Sequence, residues 1–580
     1  MTKSVLLLGM PGWTIQSPLH SLFYVAALIR NVGWECAAVD MNVALRRLLP
    51  SNFARYWEEP VNECWTDPAW VDDFCAAWEN DIADRLGVMG AERDYAITAF
   101  TVNGYTKLMS LKASKLLRSF FPDRTVLFGG VECFPGRSCR QFVTTEGGPD
   151  IICHGEAEIA LPKFLKAFEH TPDYRTTVSG FAYKDGDEIV DTGPAETPTF
   201  SSPVPRPDWS GVDFSQYKNP GEFAVFFSRD CPNRCAFCDH RGIGTSFRTR
   251  DPEDVTMEIA NARTWVTSYS DIPKVHFVDL CINGSLRKLE ELCDQLIESH
   301  ADIQWFSCAG FRPSMSLELL TKMRKSGCSG LNFGLESGSQ KIIDLMNKGF
   351  TTASAEETLR RCRDLGIATY LGLIVGFPGE TAADLVDTIK FVLRHRDYAE
   401  FGPPNLLQIY PNSPMGGNPG EWGVTSNEQD TWRTRDLRND RNVRTFRRFV
   451  LGNAVFNGGL TTRSIFAWNE FLWLDLNQPS VAADVAAALY ELWKSVSSER
   501  EKISILEEWP SAGKTVSSME EFHWKRVLPE NVPPDVDLSA WRSADKNRQD
   551  DKRRICRLIL DALRNLRRVL LTETCSDRGI

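Results

Sequence analysis

The segment SRDCPNRCAFCDHRG spans residues 228–242 and places Cys231, Cys235 and Cys238 on one short loop, in the spacing C-x3-C-x2-C. Thiolates are soft ligands that suit iron–sulfur clusters, whereas structural zinc sites normally use four protein ligands. No fourth cysteine follows at a matching spacing, so three thiolates on a cubane cluster would leave one iron with an open coordination position. His240 is the alternative fourth ligand. The spacing predicts a metal centre rather than three unrelated core cysteines.

This loop follows the first of six apolar segments that alternate with helical patterns. The predicted strands are 223–228, 274–279, 303–308, 330–335, 368–375 and 405–410, and the predicted helices are 252–268, 285–299, 315–326, 352–365 and 381–396. Parallel strands need crossover helices, so this alternation predicts a parallel sheet that curls into a full or partial barrel. In such barrels the chemistry takes place at the carboxyl ends of the strands.

The first 170 residues predict a separate five-stranded, nucleotide-binding-like domain. Its strands are 4–8, 36–40, 95–100, 125–128 and 150–153, each a short buried run typical of parallel sheets. Glycines follow several of these strands, at Gly9, Gly12, Gly129, Gly130 and Gly155. In open α/β sheets, ligands bind beyond the carboxyl ends of the strands, and these glycines lie there.

Three further segments complete the organisation. An insertion between the second and third strands contains four tryptophans: Trp57, Trp65, Trp70 and Trp78. Packing of these side chains in a small helical subcore is favoured over stacking on a ligand. Residues 171–221 are rich in Pro, Gly, Ser and Thr and predict a linker with little regular structure. After residue 411 the pattern becomes mostly helical, ending in a basic helix over 544–572 for which a solvated face is the favoured interpretation.

Composition restricts the function further. The chain has 580 residues and a formal net charge of −11, which argues against attraction to nucleic acid or to an anionic membrane. No apolar stretch approaches the ~18 residues of a membrane span. Sixteen cysteines are spread thinly, and the first residues predict a strand rather than a signal peptide. We therefore expect reduced thiols and a cytoplasmic protein.

The segment CPNRCAFC, at the end of the first barrel strand, resembles the radical S-adenosylmethionine (SAM) superfamily. The resemblance implies that Cys231, Cys235 and Cys238 bind a [4Fe–4S] cluster whose fourth iron chelates SAM. It also implies reductive cleavage of SAM to methionine and a 5′-deoxyadenosyl radical. Phe237 matches the aromatic residue that lies against the adenine in this family.

Two later motifs match the same superfamily in the expected order. NFGLESGS places Glu336 and Ser337 at the end of the fourth strand, where the family has polar contacts to SAM. LIVGFPGET places Gly376 and Glu380 at the end of the fifth strand, where the adenine is received. A further match, MNKGFT with Lys348, lies between these two motifs. Three further residues, at the ends of the second and third strands, are candidates for the cavity: Asp279, Asn283 and Arg312. For Asn283, capping of a helix is the alternative.

The N-terminal domain resembles the cobalamin-binding branch of this superfamily. The similarity rests on a Pro-containing loop after the first strand, an Asp-x-Asn after the second, VLFGGVE, and a Gly-Glu pair after the fifth. The implied cobalamin-binding residues are Met10, Ser17, Gly129, Gly130, Gly155 and Glu156. The Asp-x-His-x-x-Gly signature of histidine-ligated cobalamin is absent from the sequence, and His20 and His154 are interpreted as structural or surface residues.

Together the resemblances, which cover about residues 1–411, imply an α/β protein with three domains. These are a Rossmann-like cobalamin domain (1–170), then after the linker a partial (β/α)6 radical SAM barrel (222–411), and a mostly α-helical C-terminal domain (412–580). The implied cofactors are a [4Fe–4S] cluster, SAM and cobalamin. The implied electron donor is a flavodoxin or ferredoxin.

The implied activity is that of a class B-like C-methyltransferase. It would methylate an unactivated carbon of a small-molecule or peptide natural product, through the 5′-deoxyadenosyl radical and methylcobalamin. Oxidative cyclisation or ring rearrangement without methyl transfer is the main alternative. A methylthio-transferring enzyme and a non-catalytic iron–sulfur or corrinoid-binding protein fit less well, because the first needs a second cluster domain and the second has no use for SAM motifs. The hypothesis of a nucleic-acid substrate is supported only by the basic terminal helix.

Overall fold

The computed structural model describes residues 2–12, 14–57, 61–134, 137–171, 174–186, 188–240, 246–425, 431–436 and 439–455, with single positions near 481–491. The basic helix predicted at 544–572 and most of the predicted C-terminal domain lie outside these residues. The chain divides into two compact units. The first comprises Met1–Pro232, Ile243–Cys308 and Lys322–Ser329, and the second comprises Asn233–Gly242, Ala309–Thr321 and Gly330–Ile580.

The first unit contains a seven-stranded sheet in the order β2-β1-β3-β4-β5-β6-β7. Its strands are β1 (Ser4–Gly9), β2 (Glu35–Asp40), β3 (Ile97–Thr101), β4 (Thr125–Gly129), β5 (Ile151–Cys153), β6 (Phe181–Asp185) and β7 (Glu188–Asp191). The first five are parallel. Strand β1, which lies between β2 and β3, is buried along its whole length, and this accounts for its uninterrupted apolar sequence.

The hairpin formed by β6 and β7 corrects one prediction. Both strands lie in the segment interpreted as an irregular linker, yet β6 pairs antiparallel with β5 and extends the N-terminal sheet. The signal was present, because Asp185-Gly186 is a hairpin-turn dipeptide and Gly186 has a φ of 60°. The high Pro and Gly content of the surrounding segment outweighed this signal and led to the prediction of a linker.

The described residues of this region form the α-helices α1 (His20–Asn31), α2 (Met41–Leu48), α3 (Pro68–Ala77), α4 (Glu79–Ala91), α5 (Lys107–Phe120), α6 (Cys139–Thr144) and α7 (Ala157–His170). The tryptophan-rich insertion consists of 3-10 turns at 51–57 and 61–66 together with α3 and α4. Trp57 and Trp65 are fully buried, with ring centroids 5.3 Å apart. The tryptophans therefore serve packing, as predicted, but they join the core of the N-terminal sheet rather than forming a separate subcore.

The first unit continues with β8 (Glu222–Val225), β9 (Ser228–Arg229), β10 (Arg248–Thr249), α8 (Pro252–Val266), β11 (Lys274–Phe277), α9 (Leu286–Glu298) and β12 (Gln304–Ala309). The strands β8, β11 and β12 are parallel, with Lys274 in register with both Glu222 and Gln304. Helix α8 begins where Asp251 accepts a hydrogen bond from the Glu253 backbone and Pro252 occupies the first turn.

The remaining elements are α10 (Leu317–Lys325), β13 (Cys328–Glu336), α11 (Gln340–Leu345), α12 (Thr352–Asp364), β14 (Ala368–Val375), α13 (Ala382–His395), β15 (Glu400–Phe401), β16 (Asn405–Leu406), α14 (Pro414–Gly417) and α15 (Arg441–Val455). In the second unit β14 pairs in parallel with β13, β15 and β16. Capping boxes start α12 at Thr351 and α13 at Thr381. None of the helices in the described ranges is both long and apolar enough to cross a membrane.

Candidate functional site

The cysteine loop is closed at its base by a short antiparallel ribbon of β9 and β10, in which Arg229 faces Arg248 and Ser228 faces Thr249. The thiols of Cys231, Cys235 and Cys238 are free of disulfide bonds, and Cys235 is buried. Three thiols outside disulfide bonds within eight residues suit a thiolate-bound iron–sulfur cluster by donor chemistry. In the described ranges no three Cys, His, Asp or Glu side chains form a ready metal-ligating group.

In the second unit, hydrogen bonds hold the backbone between the second and third cysteines on both sides. The Ala236 backbone donates to the Met346 carbonyl and accepts from the Met415 backbone, each at 3.0 Å. The Asn347 side chain donates to the Arg234 carbonyl at 2.9 Å. This part of the loop is therefore held in place by residues more than 100 positions away in the chain.

Phe237 lies partly buried against an apolar cluster of the second unit that includes Met346, Phe377 and Trp432. The ammonium group of Lys348 lies 5.7 Å from the centre of its ring, within the range of a cation–π contact. The aromatic ring is thus packed against the protein, and the Lys348 cation lies over it.

Glu336 ends β13 in an unusual conformation. Its φ is 67°, in the left-handed region that non-glycine residues rarely adopt, and the β13–β14 register shifts just before it. Its carboxylate pairs with Lys348 at 3.1 Å, and both side chains are largely buried. A side chain at Gly334 would meet this carboxylate at 2.4 Å, so the glycine leaves room for it. Such strain persists only where surrounding contacts maintain it.

Ser337 and Gly376, both predicted to contact SAM, make extensive contacts within the protein. The Ser337 hydroxyl hydrogen-bonds Thr388 at 2.9 Å and accepts from the Ser339 backbone at 3.1 Å. Gly376 has a φ of 88°, and a Cβ there would lie 2.3 Å from the Arg444 side chain. These contacts are sufficient to explain both residue types structurally. The predicted SAM contacts remain predictions.

The sequence motifs did not reveal a buried ionic network behind Gly376. Glu380 accepts from the Gly376 backbone at 3.1 Å and pairs with Arg447 at 3.0 Å, and Arg447 also pairs with Asp484. Burial raises the pKa of Glu380, against the opposing effect of the Arg447 charge. Arg447 belongs to α15, and two arginines three positions apart on an amphipathic helix would ordinarily indicate a solvated face.

Asp279, just after β11, holds the strand that leads into the cysteine loop. Its carboxylate accepts from the Phe227 backbone at 3.0 Å and from the Ser228 backbone at 2.5 Å, and it also accepts from the Ser228 hydroxyl. Burial raises the pKa of Asp279 to about 6, although these hydrogen bonds favour the ionised form. Its observed role is therefore to fix the loop entrance.

The other two cavity candidates differ from each other. Asn283 is buried and accepts a hydrogen bond from the Cys281 thiol at 3.2 Å, whereas Ser285 caps α9, so the capping alternative for Asn283 is wrong. Asn283 is too early in the chain to cap a helix that begins at Leu286. The Nε and Nη2 atoms of Arg312 are buried and have no hydrogen-bond partner within the described ranges. A cation in this state is suited to an anionic ligand.

At the carboxyl edge of the N-terminal sheet, Asn42 organises the loop that contains Met10 and Ser17. Its side chain accepts from the Gly12 backbone and the Trp57 indole and donates to the Met10 carbonyl, each at 3.2 Å. Met10 is fully buried and Ser17 is partly exposed.

A neighbouring contact fixes the same edge. Asp40 caps α2 by accepting from the Asn42 backbone at 2.9 Å, and it also accepts from the Tyr217 hydroxyl at 3.0 Å. Burial raises the pKa of Asp40. The loop is therefore preorganised by contacts within the first unit.

The glycines after β4 and β5 are required by the chain itself. A Cβ on Gly130 would lie 2.5 Å from the Val102 carbonyl oxygen, and one on Gly155 would lie 2.8 Å from the Ala195 side chain. Gly129 has ordinary contact distances. The carboxylate of Glu156 is bound by Arg248 at 2.6 Å. Close approach of a ligand is therefore not needed to explain Gly130 or Gly155.

The two histidines interpreted as structural are both buried. His154 lies 3.1 Å from Asp191, and His20 lies 3.6 Å from Glu258 while stacking on Tyr24. Neither occupies the sequence context of a cobalt ligand, and their contacts support the structural interpretation.

Residues 225–392 match the family model described as the Radical SAM superfamily. This stretch is a radical SAM domain. The radical SAM domain contains the cysteine loop as well as Glu336, Ser337 and Gly376.

Two solved structures share the fold. One is the radical SAM methyltransferase TsrM from Kitasatospora setae with cobalamin and a [4Fe-4S] cluster bound, at 20% identity and a TM-score of 0.57, covering 74% of this chain and 81% of that chain. The other is the cobalamin-dependent SAM radical enzyme OxsB with aqua-cobalamin and SAM bound, at 16% identity and a TM-score of 0.54, covering 99% of this chain and 80% of that chain. These likenesses confirm the predicted α/β fold class.

Among curated proteins, the chain is 27% identical over 350 residues to the anaerobic magnesium-protoporphyrin IX monomethyl ester cyclase of Cereibacter sphaeroides. The match covers 56% of this chain and 56% of that protein. The chain thus spans little more than half the length of such relatives. The proteins to which this chain is similar are thus named for both cyclisation and methyl transfer.

Proposed function

We propose that this chain is a cobalamin-dependent radical SAM C-methyltransferase that methylates an unactivated carbon of a small-molecule or peptide natural product. The observation that carries the proposal is the C-x3-C-x2-C loop at the beginning of the radical SAM domain. The N-terminal sheet and the fold shared with the cobalamin-bound TsrM and OxsB structures support the cobalamin part. Named sites rather than the fold alone carry the assignment.

In this proposal the cofactors supply the radical and methyl-carrying chemistry, and the protein supplies binding and orientation. A [4Fe–4S] cluster on Cys231, Cys235 and Cys238 would provide the electron that cleaves SAM, and cobalamin would carry the methyl group. A flavodoxin- or ferredoxin-type protein is the proposed electron donor.

The proposed SAM-binding residues each have a preorganised environment. The Phe237 ring lies beneath the Lys348 ammonium group, and the Glu336 carboxylate is held by the same lysine. Ser337 and Gly376 directly follow β13 and β14, and their backbone groups would face the SAM bound at these strand ends. Positions fixed before the ligand arrives reduce the ordering cost of binding.

For cobalamin we propose the carboxyl edge of the N-terminal sheet. The loop bearing Met10 and Ser17 and the turns after β4 and β5, with Gly129, Gly130 and Gly155, form this edge in the first unit. Ligands of open α/β sheets bind at this edge. Glu156 is also proposed here, although Arg248 already binds its carboxylate.

Oxidative cyclisation without methyl transfer is the second candidate, and the similarity to the monomethyl ester cyclase of Cereibacter sphaeroides supports it. Both candidates use the same radical-generating residues. They differ in whether the SAM methyl group appears in the product.

The cluster assignment is tested with the full chain after anaerobic reconstitution with iron and sulfide. We expect wild-type protein to bind iron and to form 5′-deoxyadenosine from SAM, and Cys235→Ala to lose both. Cys75→Ala removes a partly buried thiol elsewhere and serves as the matched control. Equal iron content in Cys235→Ala and wild type would contradict the assignment. With substrate, isotopically labelled SAM methyl then separates methylation from cyclisation.

A further inference from the structure

The two residues that immediately precede Cys231 are connected to the start of helix α7, Arg229 directly and Asp230 through Arg248. Arg229 donates to Glu158 at 2.9 Å. Asp230 accepts from Arg248 at 2.8 Å, and the same guanidinium donates to both carboxylate oxygens of Glu156, at 2.8 and 2.6 Å. The entrance to the cysteine loop is therefore connected to the turn that follows β5.

Arg248 is the centre of this arrangement. It lies in β10, whose pairing with β9 closes the base of the loop, and its side chain is about nine-tenths buried. It also donates to the Pro198 carbonyl at 2.8 Å. A guanidinium can serve several acceptors in fixed directions at once, whereas a lysine ammonium cannot reproduce that fork.

The backbone at Asp230 needs such support. Its φ is 64°, in the left-handed region that non-glycine residues adopt infrequently, Asp and Asn more often than the others. The ion pair with Arg248 holds the side chain of this residue, and Cys231 follows directly. Releasing the carboxylate would allow Asp230 to return to an ordinary conformation and would redirect the Cys231 thiol.

We propose that Arg248 is a positioning residue for the cluster: through Asp230 it fixes the direction of Cys231, and through Glu156 it makes that direction depend on the turn after β5. This inference rests on the proposed function, because it assumes a cluster on the three cysteines. It adds a mechanical connection between the N-terminal sheet and the first cluster ligand.

The test uses the full chain, reconstituted anaerobically with iron and sulfide, in four variants: Arg248→Gln, Arg248→Lys, Glu156→Gln and, as control, Arg263→Gln. Arg263 is a partly buried arginine of α8 that donates to the Ala301 carbonyl. Bound iron and sulfide, the electron paramagnetic resonance spectrum of the dithionite-reduced cluster and its midpoint potential are measured without SAM or substrate.

We expect Arg248→Gln to bind less iron and to give an altered resonance spectrum and a shifted potential. Arg248→Lys should restore neither the wild-type spectrum nor the wild-type potential. Glu156→Gln should alter the spectrum and shift the potential in the same direction as Arg248→Gln, and Arg263→Gln should match wild type. If Arg248→Gln does not fold, as judged by circular dichroism, Asp230→Asn and Glu156→Gln decide the outcome.

Two negative results are distinguishable. A wild-type spectrum, potential and iron content in Arg248→Gln and Glu156→Gln would overturn the positioning role and leave the proposed function intact. Failure of wild-type protein to bind any cluster would instead overturn the proposed function, and this inference with it.

Discussion

Asp230 and Glu336 share a backbone conformation that few non-glycine residues of the described chain adopt, with φ values of 64° and 67°. Each is next to or part of a predicted functional position, and each side chain is held by a basic residue, Arg248 or Lys348. Strained backbone persists where surrounding contacts maintain it, and it is often found at functional sites. The strain therefore coincides with the residues on which the proposed function depends.

A pH-dependent contribution to stability is expected from His276. Burial lowers its pKa to about 4, and the ring stacks on Phe306 with centroids 4.4 Å apart. The unfolded chain binds this proton more readily, so the stabilisation is complete above about pH 6.5 and is lost as the pH falls toward 4. We expect a loss of about 2 kcal/mol from this group at about pH 5.

The matched variant is His276→Phe, which keeps the stacking and removes the titration. The decrease in melting temperature between about pH 7.5 and about pH 5 should be smaller in the variant than in wild type. An identical decrease in both proteins would show that His276 does not titrate as inferred.

At the scale of elements, helix α15 is fixed by buried charges rather than by an apolar stripe alone. Arg447 connects Glu380, which follows β14, to Asp484, and all three side chains are less than a tenth exposed. Arg444, one turn earlier, stacks on Trp432 at 3.8 Å and packs against Gly376. Two arginines of one helix thus hold the turn that ends the fifth barrel strand.

Replacing Arg447 by Gln should strongly destabilise the second unit, because it leaves two carboxylates buried without their cation. The expected loss is about 3–5 kcal/mol, measured by thermal or denaturant unfolding. Arg93→Gln removes an arginine from the exposed ion pair with Glu35 and should cost less than about 1 kcal/mol. Similar losses in the two variants would argue against the buried network as the main support of α15.

Most of the strands and helices were predicted correctly from hydrophobic periodicity. The five parallel strands of the N-terminal sheet and the βα alternation after Glu222 follow the predicted order, with boundaries shifted by one to three residues in most cases. The hairpin β6–β7 was missed because two short strands within a Pro- and Gly-rich segment give little periodicity. The sixth barrel strand is shorter than predicted, ending at Leu406, and β15 precedes it.

At the scale of the whole molecule, fold similarity persists where sequence identity does not. The OxsB structure covers 99% of this chain at 16% identity. A fold of this kind can host different reactions, so the residues at the strand ends carry the functional argument. The net charge of −11 remains consistent with a substrate other than a polyanion.

Corrinoid removal tests how the proposed work is divided between the two cofactors. Full chain prepared without cobalamin but with reconstituted iron and sulfide should still form 5′-deoxyadenosine from SAM, because the three cysteines proposed to bind the cluster are not among the residues proposed to bind cobalamin. Transfer of labelled methyl to substrate should be absent and should return when methylcobalamin is added. Undiminished methyl transfer without cobalamin would contradict the proposed function.

The sequence by itself determined the features that depend on local order: the cysteine spacing, the alternation of strands and helices, and the motifs at the ends of β13 and β14. These are readable because hydrophobic periodicity and ligand spacing are encoded within a few residues. Only the tertiary structure decided the partners of Glu156 and Glu380. Arg248 lies 92 residues from Glu156, and Arg447 lies 67 residues from Glu380. Charges so far apart in the chain carry no local signal, and they meet because the packed elements bury them together.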